Sequence, residues 1–317
     1  MSDSRTVTAF APASIGNVGV GFDMLGLAIA GAGDRVSARR VPGPGVRIAE
    51  VRGLDGEVHP TLSADADGNT ASVAAAALWL AAGGDGGLEL VVRKGVPLQS
   101  GMGSSAASAV AGAVAANALL ERPLPLRELL PFALAGEKVA SGGIHADNVA
   151  PSLIGGMVLC PPVLLPRMIA LPTPQGISSV LLHPDLLVST AESRRKLARG
   201  YSMDQWLTQQ GYLAGFIAAL EAGDVDLLRE CLQDVIIEPQ RASSVPCFPA
   251  VKEAALAAGA LGSSLSGSGP SVFALCEDQL APRVRVAMEQ ACRGFGYDCQ
   301  SWVSPLNAPG AHLEELP

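Results

Sequence analysis

Aromatic side chains are scarce in this chain, with seven Phe, three Tyr and three Trp among 317 residues. Bases therefore find no stacking platform, and Arg194-Arg195-Lys196 is the one dense basic run. A formal net charge of −8 repels phosphate backbones, so nucleic acid is not an expected partner. Long apolar runs are missing as well. No stretch of roughly 18 residues is apolar and free of Gly, Pro and polar breaks, so neither a membrane span nor a membrane partner is expected. Ser104 to Leu120 comes nearest, but Ala, Ser and Gly dominate it, and it reads as a buried, tightly packed helix. The start, MSDSRTVTAFAPAS, has no basic stretch leading into an apolar run, so no export signal is expected. Six cysteines stand apart at 160, 231, 247, 276, 292 and 299, without a CxxC pair or a His at metal spacing. They read as reduced thiols of a cytoplasmic protein. No GK[ST] occurs, which removes a Walker-type phosphate loop.

What is present is a chain 49% apolar and 16% charged, far from the composition of disorder and long enough for two cores. A soluble enzyme acting on a small molecule is the class left standing. VTAFAPAS reads as a strand followed by a Gly-rich loop, Gly16 to Gly26. DRVSARRV and VRIAEV read as a β-pair. Asn69 caps a helix that Gly83-Gly84 ends, and LELVVR, residues 88–93, alternates as a strand does. Helices are expected from Ser104 to about Leu120, over LRELLPFALAGEKVASG and, after the Gly142-Gly143 turn, over DNVAPSLIGG, before the strand MVLC. Pro161-Pro162 and Pro166 mark a boundary, giving domains 1–165 and 166–317. Beyond it come the strand ISSVLLH, a short helix STAESRRKL, and helices at about 204–222, 224–232 and 247–258. The end reads strand LGSSLSG, strand SVFALC, helix 283–293, strand CQSWVS. Strands and helices mixed in this way give an α+β chain of two sheet-and-helix sandwiches.

The sharpest signal is PLQSGMGSSAA, that is Pro97, Leu98, Gln99, Ser100, Gly101, Met102, Gly103, Ser104, Ser105, Ala106 and Ala107. A strand runs through a Gly loop into a helix whose first turn holds only Ser and Ala. The first N–H groups of a helix lack intrahelical partners and carry the positive end of its dipole, so they attract anions. Gly101 and Gly103 let the backbone wrap a phosphate without a Cβ in the way. No acidic side chain compensates the helix end, and the two serines add hydroxyls for phosphate or a cation. The same residues match GxGxxA of a dinucleotide fold, but the strand and acid which that fold requires downstream are replaced by LLERPLPLREL.

PLQSGMGSSAA resembles the second motif of the GHMP kinases, the galacto-, homoserine, mevalonate and phosphomevalonate kinases. APASIGNVGVGFDMLGLAI near the start resembles the first motif, and GSSLSGSGPSVFAL, Gly262 to Leu275, the third. The resemblance implies a two-domain α+β fold, ribosomal protein S5 domain 2-like then ferredoxin-like, with the site between the domains. It also implies ATP as co-substrate, Mg²⁺ and a homodimer. IGNVGVGFDMLGLAI, HADNVAPSLIGG and EPQR look like the branch whose acceptor is L-homoserine, which supplies threonine synthesis. A mevalonate-type acceptor, and a non-catalytic sensor built on the same fold, are the alternative readings.

By that resemblance Glu137 and Ser105 hold Mg²⁺, with Ser104 as the competing hydroxyl. Read alone, Glu137 is equally a solvent-facing partner of Lys138. A zwitterionic acceptor needs both signs of charge in its pocket, and the planar fork of Arg suits its carboxylate. Arg194 and Arg241 resemble the two arginines of the family, with Arg195 as a neighbour that could take the place of Arg194; read alone, each is a surface arginine. Asn17 and Asp23 on the first loop are candidates for the amine and hydroxyl, or simply for Asx turns. His145, Asp147 and Asn148 are expected to touch the acceptor and position it, although a His beside an Asp also serves as a local capping pair. Thr190 and Gly267 complete the substrate set. With Asn148 where mevalonate kinases place an Asp, Asn148, Glu137 and Ser105 form the catalytic set and no side chain is expected to be an indispensable base.

Overall fold

The structure, a computed structural model, describes residues 5–62, 64–141, 143, 145–198 and 200–314. Two sheets carry the fold among these residues. The first contains β1 (Thr6–Gly16), β2 (Leu25–Val41), β3 (Gly45–Arg52), β4 (Gly87–Arg93), β5 (Met157–Leu159), β6 (Ile169–Leu171) and β11 (His312–Glu314). Its main path runs β11-β1-β2-β4-β3, with β5 on β2 and β6 on β5. The second is antiparallel, ordered β10 (Cys299–Pro305), β7 (Ile177–Pro184), β9 (Val272–Glu277), β8 (Gly262–Leu265).

Small residues set the first helical layer. It consists of α1 (Thr70–Ala81), α2 (Ser104–Asn117), α3 (Leu130–Ser141) and α4 (Ala146–Ile154). Asn69 caps α1 as expected, its Oδ1 accepting from Ala71 N at 3.0 Å. Every residue of α2 except Ser105 is buried. Gly136 brings α3 onto α1 and α2: a Cβ there would lie 2.9 Å from Ala74 Cβ and 3.0 Å from Ala109 Cβ. That close approach carries the next residue, Glu137, into the space beside α2. Pro131 sits in the first turn of α3, and the chain before it, Leu126–Leu129, is a tighter 3₁₀ turn, so the expected single helix over LRELLPFALAGEKVASG is split. Gly142 of the Gly142-Gly143 turn lies outside the described residues.

The β1–β2 hairpin serves both domains. Its register breaks between Pro12 and Ala13. On one side of the break Ala9, Ala11, Val36 and Ala38 face α1–α4; on the other Ile15, Leu25, Leu27 and Ile29 pack with Leu181, Phe216 and Phe273 of the second half. Phe216 belongs to α6 (Met203–Ala222), which with α7 (Val225–Cys231) fills the space between the two sheets. The other face of the second sheet packs on α9 (Phe248–Ala257) and α10 (Ala281–Gly294). Short helices α5 (Thr190–Arg195) and α8 (Glu238–Arg241) border the cleft.

One expected pairing is corrected. β2 and β3 are not hydrogen-bonded to each other, because β4 inserts between them, antiparallel to β2 and parallel to β3. Leu88, Leu90 and Val92 of β4 are almost wholly buried and claim the interior position. Charge agrees: Glu89 of β4 pairs with Arg39 on one side and with Arg47 on the other, the latter at 2.9 Å. The strand expected from Asp34 is the far half of a strand that begins at Leu25. β6 still pairs with the first sheet after the proline cluster, and β11 returns the chain to it. All six cysteines are free thiols, five of them buried. Among the described residues no helix is long and apolar enough to cross a membrane.

Candidate active site

Three Gly-containing loops meet at one end of the β1–β2 hairpin and enclose a cleft of about 400 Å³. Main-chain hydrogen bonds lock them together. Gly267 N donates to Gly16 O at 3.0 Å, Ser271 N to Ser100 O at 3.1 Å, and Ser14 N to Met102 O at 3.0 Å. Ser266 Oγ donates to Gly101 O at 2.6 Å. Gly101 has φ 74° and lies so close to the third loop that a Cβ would approach Gly269 O to 2.7 Å. Among the described residues four non-glycine residues adopt positive φ, namely Asn17, Val18, Asp23 and Gln99, and all four are on these loops. Left-handed backbone costs such residues energy and persists where surrounding contacts enforce it.

The N-terminus of α2 opens into this cleft. Gly103, at φ 67°, precedes it without a side-chain cap, and its first turn holds no acid. Leu98, Gln99, Ser100, Gly101, Gly103, Ser104 and Ser105 line the cleft. The other members of the expected phosphate loop do not. Met102 points into the core between the sheets, while Ala106 and Ala107 are fully buried and Pro97 stands outside the lining. The two serines separate clearly. Ser104 Oγ donates to Val96 O at 3.0 Å, whereas Ser105 Oγ has no hydrogen-bond partner among the described residues and lines the cleft. Glu137 is 4% exposed and lines the same space, so it is not a surface partner of Lys138. A buried carboxylate with a hydroxyl beside a phosphate-binding helix end is an all-oxygen donor set, which fits Mg²⁺.

At the other end of the cleft both signs of charge collect. Arg194 donates to Asp23 Oδ1 at 2.6 Å. Arg241 is 4% exposed, donates from one terminal nitrogen to Gly267 O at 2.8 Å, and its Nε is buried without a partner. Arg195 is 76% exposed and 3.8 Å from Glu192, so of the two neighbours Arg194 lines the cleft. Asp23, His145 and Asp147 offer ligand atoms within 4.8 Å of one another. Asp147 is 2% exposed, with Oδ1 unpaired. Burial, and next the charge of Asp23, push its carboxyl up to about 7, against the N–H of Asn17 that favours the anion. Burial, then Arg194, holds the His145 imidazole below its ordinary value, so it is neutral at pH 7.

Amides tie the two ends together. Asn148 Oδ1 accepts from Ser14 Oγ at 3.0 Å, leaving its NH₂ for the cleft. Both ends of the Asn17 amide are used within the protein: Oδ1 accepts from Asp23 N at 3.0 Å, and Nδ2 donates to Gly267 O at 3.1 Å. The Asx-type role of Asn17 is therefore realised at the rim of the site. Thr190 and Ser268 join hydroxyl to hydroxyl at 3.3 Å above it.

Lys94 was not among the expected residues, yet it lines the cleft. Its Nζ donates to Asp34, to Ser104 O at 2.9 Å and to Ser108 Oγ at 2.9 Å, which uses all three of its hydrogens. Asp34 in turn accepts from Gly95 N at 2.8 Å, Val96 N at 3.1 Å and Ser108 Oγ at 2.6 Å. The pair braces the strand-to-loop turn beneath the helix end. Asn69, Thr70 and Leu62 line the cleft beyond Lys94, a mixed amide and apolar surface that the sequence motifs do not mark.

The chain is similar to known proteins along most of its length. Residues 69–156 match the family model of the GHMP kinases N terminal domain, and residues 216–294 that of the GHMP kinases C terminal. The chain is 45% identical over 310 residues to the homoserine kinase of Xanthomonas campestris pv. campestris, covering 98% of this chain and 94% of that one. It is also 45% identical over 310 residues to the homoserine kinase of Xylella fastidiosa, covering 96% and 93%. The crystal structure of homoserine kinase from Cytophaga hutchinsonii matches with a TM-score of 0.93 and 39% identity over 99% of both chains.

Proposed function

This chain belongs to the homoserine kinases of the GHMP kinase family, and from that premise we propose that it transfers the terminal phosphoryl group of ATP to the side-chain hydroxyl of L-homoserine. The products are ADP and O-phospho-L-homoserine, on the route to threonine. One observation carries the reading: a pocket with two arginines and two carboxylates abuts an uncapped, acid-free helix N-terminus. The first half of that cleft suits a zwitterion, the second a polyphosphate. Arg194 and Arg241 take the amino acid's carboxylate, and Asp23 with Asp147 takes its ammonium.

Phosphoryl transfer has a loose transition state, so alignment and charge stabilisation carry most of the catalysis. The amides of the loop from Gln99 to Ser105 and the α2 dipole hold the phosphates, with a fixed geometry that needs no reorganisation during reaction. Glu137 and Ser105 would hold Mg²⁺, which supplies neutralising charge to the phosphate oxygens. The NH₂ of Asn148 holds the hydroxyl in line by donating to its oxygen, and it cannot accept the proton. Burial favours the neutral form of His145, which suits positioning. On the same reading the enzyme works in the cytoplasm as a homodimer. Incubation with Mg·ATP and L-homoserine, followed by ³¹P NMR and mass spectrometry, tests the assignment. A phosphate ester on the side-chain oxygen is expected; a phosphorylated carboxylate, or no amino-acid product, would overturn it.

A further inference from the structure

Phe22 precedes Asp23 on the first loop and is half-buried. Two guanidinium groups face its ring: Arg194 Cζ stands 5.4 Å from the centroid, and Arg241 Cζ 5.2 Å. These arginines come from different helices, α5 and α8, and the ring is a surface they share. Two cations held this near each other repel, and Arg194 in fact counts against the charged form of Arg241. The negative face of an aromatic ring offsets that repulsion, most effectively where water is excluded. The backbone that carries the ring is held firmly. Gly21 N donates to Asn17 O at 2.9 Å and Leu25 N to Gly21 O at 2.9 Å, so the backbone on both sides of Phe22 is a closed turn. Asp23 N is tied to Asn17 Oδ1 at 3.0 Å. Arg241 Nε remains buried with no partner among the described residues.

We infer that Phe22 is a positioning residue, holding Arg194 and Arg241 side by side as a preformed fork for the carboxylate of the acceptor. The inference rests on the reading that an amino acid binds here. Contact with one shared ring restricts both guanidiniums and removes side-chain freedom that the acceptor would otherwise have to restrict. The carboxylate end of the acceptor then meets a site already in place, and acceptors without a carboxylate gain nothing from it.

The test compares Phe22→Leu, Phe22→Met and Phe22→Tyr with wild type. Steady-state turnover of L-homoserine is measured together with competitive inhibition by 4-hydroxybutyrate, which lacks the amine, and by 3-aminopropan-1-ol, which lacks the carboxylate. Loss of two partly desolvated cation–π contacts raises the homoserine KM by about tenfold in the Leu and Met variants, with kcat and the ATP KM changed by less than about twofold. The inhibition constant of 4-hydroxybutyrate rises in parallel, that of 3-aminopropan-1-ol is unchanged, and Phe22→Tyr restores wild-type values. A retained ATP KM shows that each variant is folded. Equal losses for both inhibitors, an unchanged homoserine KM, or a Tyr variant as poor as Leu would each overturn the inference. Failure of the wild type to use homoserine at all would instead sink the functional reading beneath it.

Discussion

Arg241→Met offers the sharpest test of the acceptor end, because the structure makes its two arginines unequal. Arg241 is 4% exposed, whereas the Arg194 side chain keeps 44% of its surface in water and is already paired with Asp23. A buried charge meeting an oppositely charged ligand is worth about 2–5 kcal/mol on truncation, which is roughly 30-fold to a few thousand-fold in the homoserine KM. For the solvated Arg194 the same reasoning gives only about 1 kcal/mol, or roughly fivefold. The folded protein without acceptor responds differently. Burial, then Arg194, disfavours the charge on Arg241, and its Nε has no partner, so removing it does not lower the melting temperature. Met keeps the volume, and the lost bond to Gly267 O and the lost cation–π contact with Phe22 are offset by removing a buried charge whose Nε has no partner among the described residues. Steady-state kinetics with ADP detection, nucleotide binding by fluorescence, and calorimetry of the unliganded protein give the three readouts. An unchanged homoserine KM, or equal losses of homoserine and ATP affinity, would refute the reasoning; so would a larger effect at Arg194 than at Arg241.

Three further outcomes follow from the same geometry. Glu137→Gln lowers kcat by at least about 10²-fold with little change in nucleotide affinity, because it removes the anionic oxygen that balances a cation at the phosphates; Ser105→Ala raises the Mg²⁺ requirement while Ser104→Ala costs about 1 kcal/mol of stability instead, and activity of Glu137→Gln within a few-fold of wild type at saturating Mg²⁺ would exclude the role. Asp147 has its carboxyl at about 7 against an ordinary 3.8, so the folded chain binds more protons between those values, and its cost to stability is absent below the window and complete above it. An ammonium ion bound there favours the anion, so homoserine binding strengthens as pH rises through about 7 and releases a proton, and Asp147→Asn flattens that slope in calorimetry run in buffers of different ionisation enthalpy. Asp34→Ala destabilises the protein by about 3–5 kcal/mol by stranding Lys94, and Asp34→Leu with Lys94→Met recovers most of it in urea unfolding; a double variant as unstable as the single one would show that the pair itself stabilises.

Local signals made much of this site readable. Phosphate binding by a helix end needs glycines, small first-turn residues and no acid, all within the eleven residues from Pro97 to Ala107, so the loop was visible without any long-range knowledge. The residues at the charged end of the cleft were visible through motif resemblance, but adjacent candidates were not separable: Arg194 from Arg195 and Ser104 from Ser105 differ only in the direction that the helix gives each side chain. The misplaced β-pair has a similar cause. Pro42-Gly43-Pro44-Gly45 looks like a hairpin turn, and the chain does reverse there, yet it arches over the end of β4. Only the shared use of Glu89 by Arg39 and Arg47 hints at that insertion. Lys94 and Asp34 are 60 residues apart, and nothing local marks either as half of a buried pair.

The most direct measurement is ADP release at fixed Mg·ATP with L-homoserine, L-serine, mevalonate or galactose as sole acceptor. A pocket that offers arginines to a carboxylate and aspartates to an ammonium, with an amide to hold the hydroxyl, gives a kcat/KM for L-homoserine at least about 10²-fold above mevalonate and galactose, since a site built for charged groups strongly rejects analogues lacking them, and a higher one than L-serine, whose hydroxyl stands one carbon short of the amide. Turnover of mevalonate or galactose at a comparable or higher kcat/KM would contradict the account at its centre.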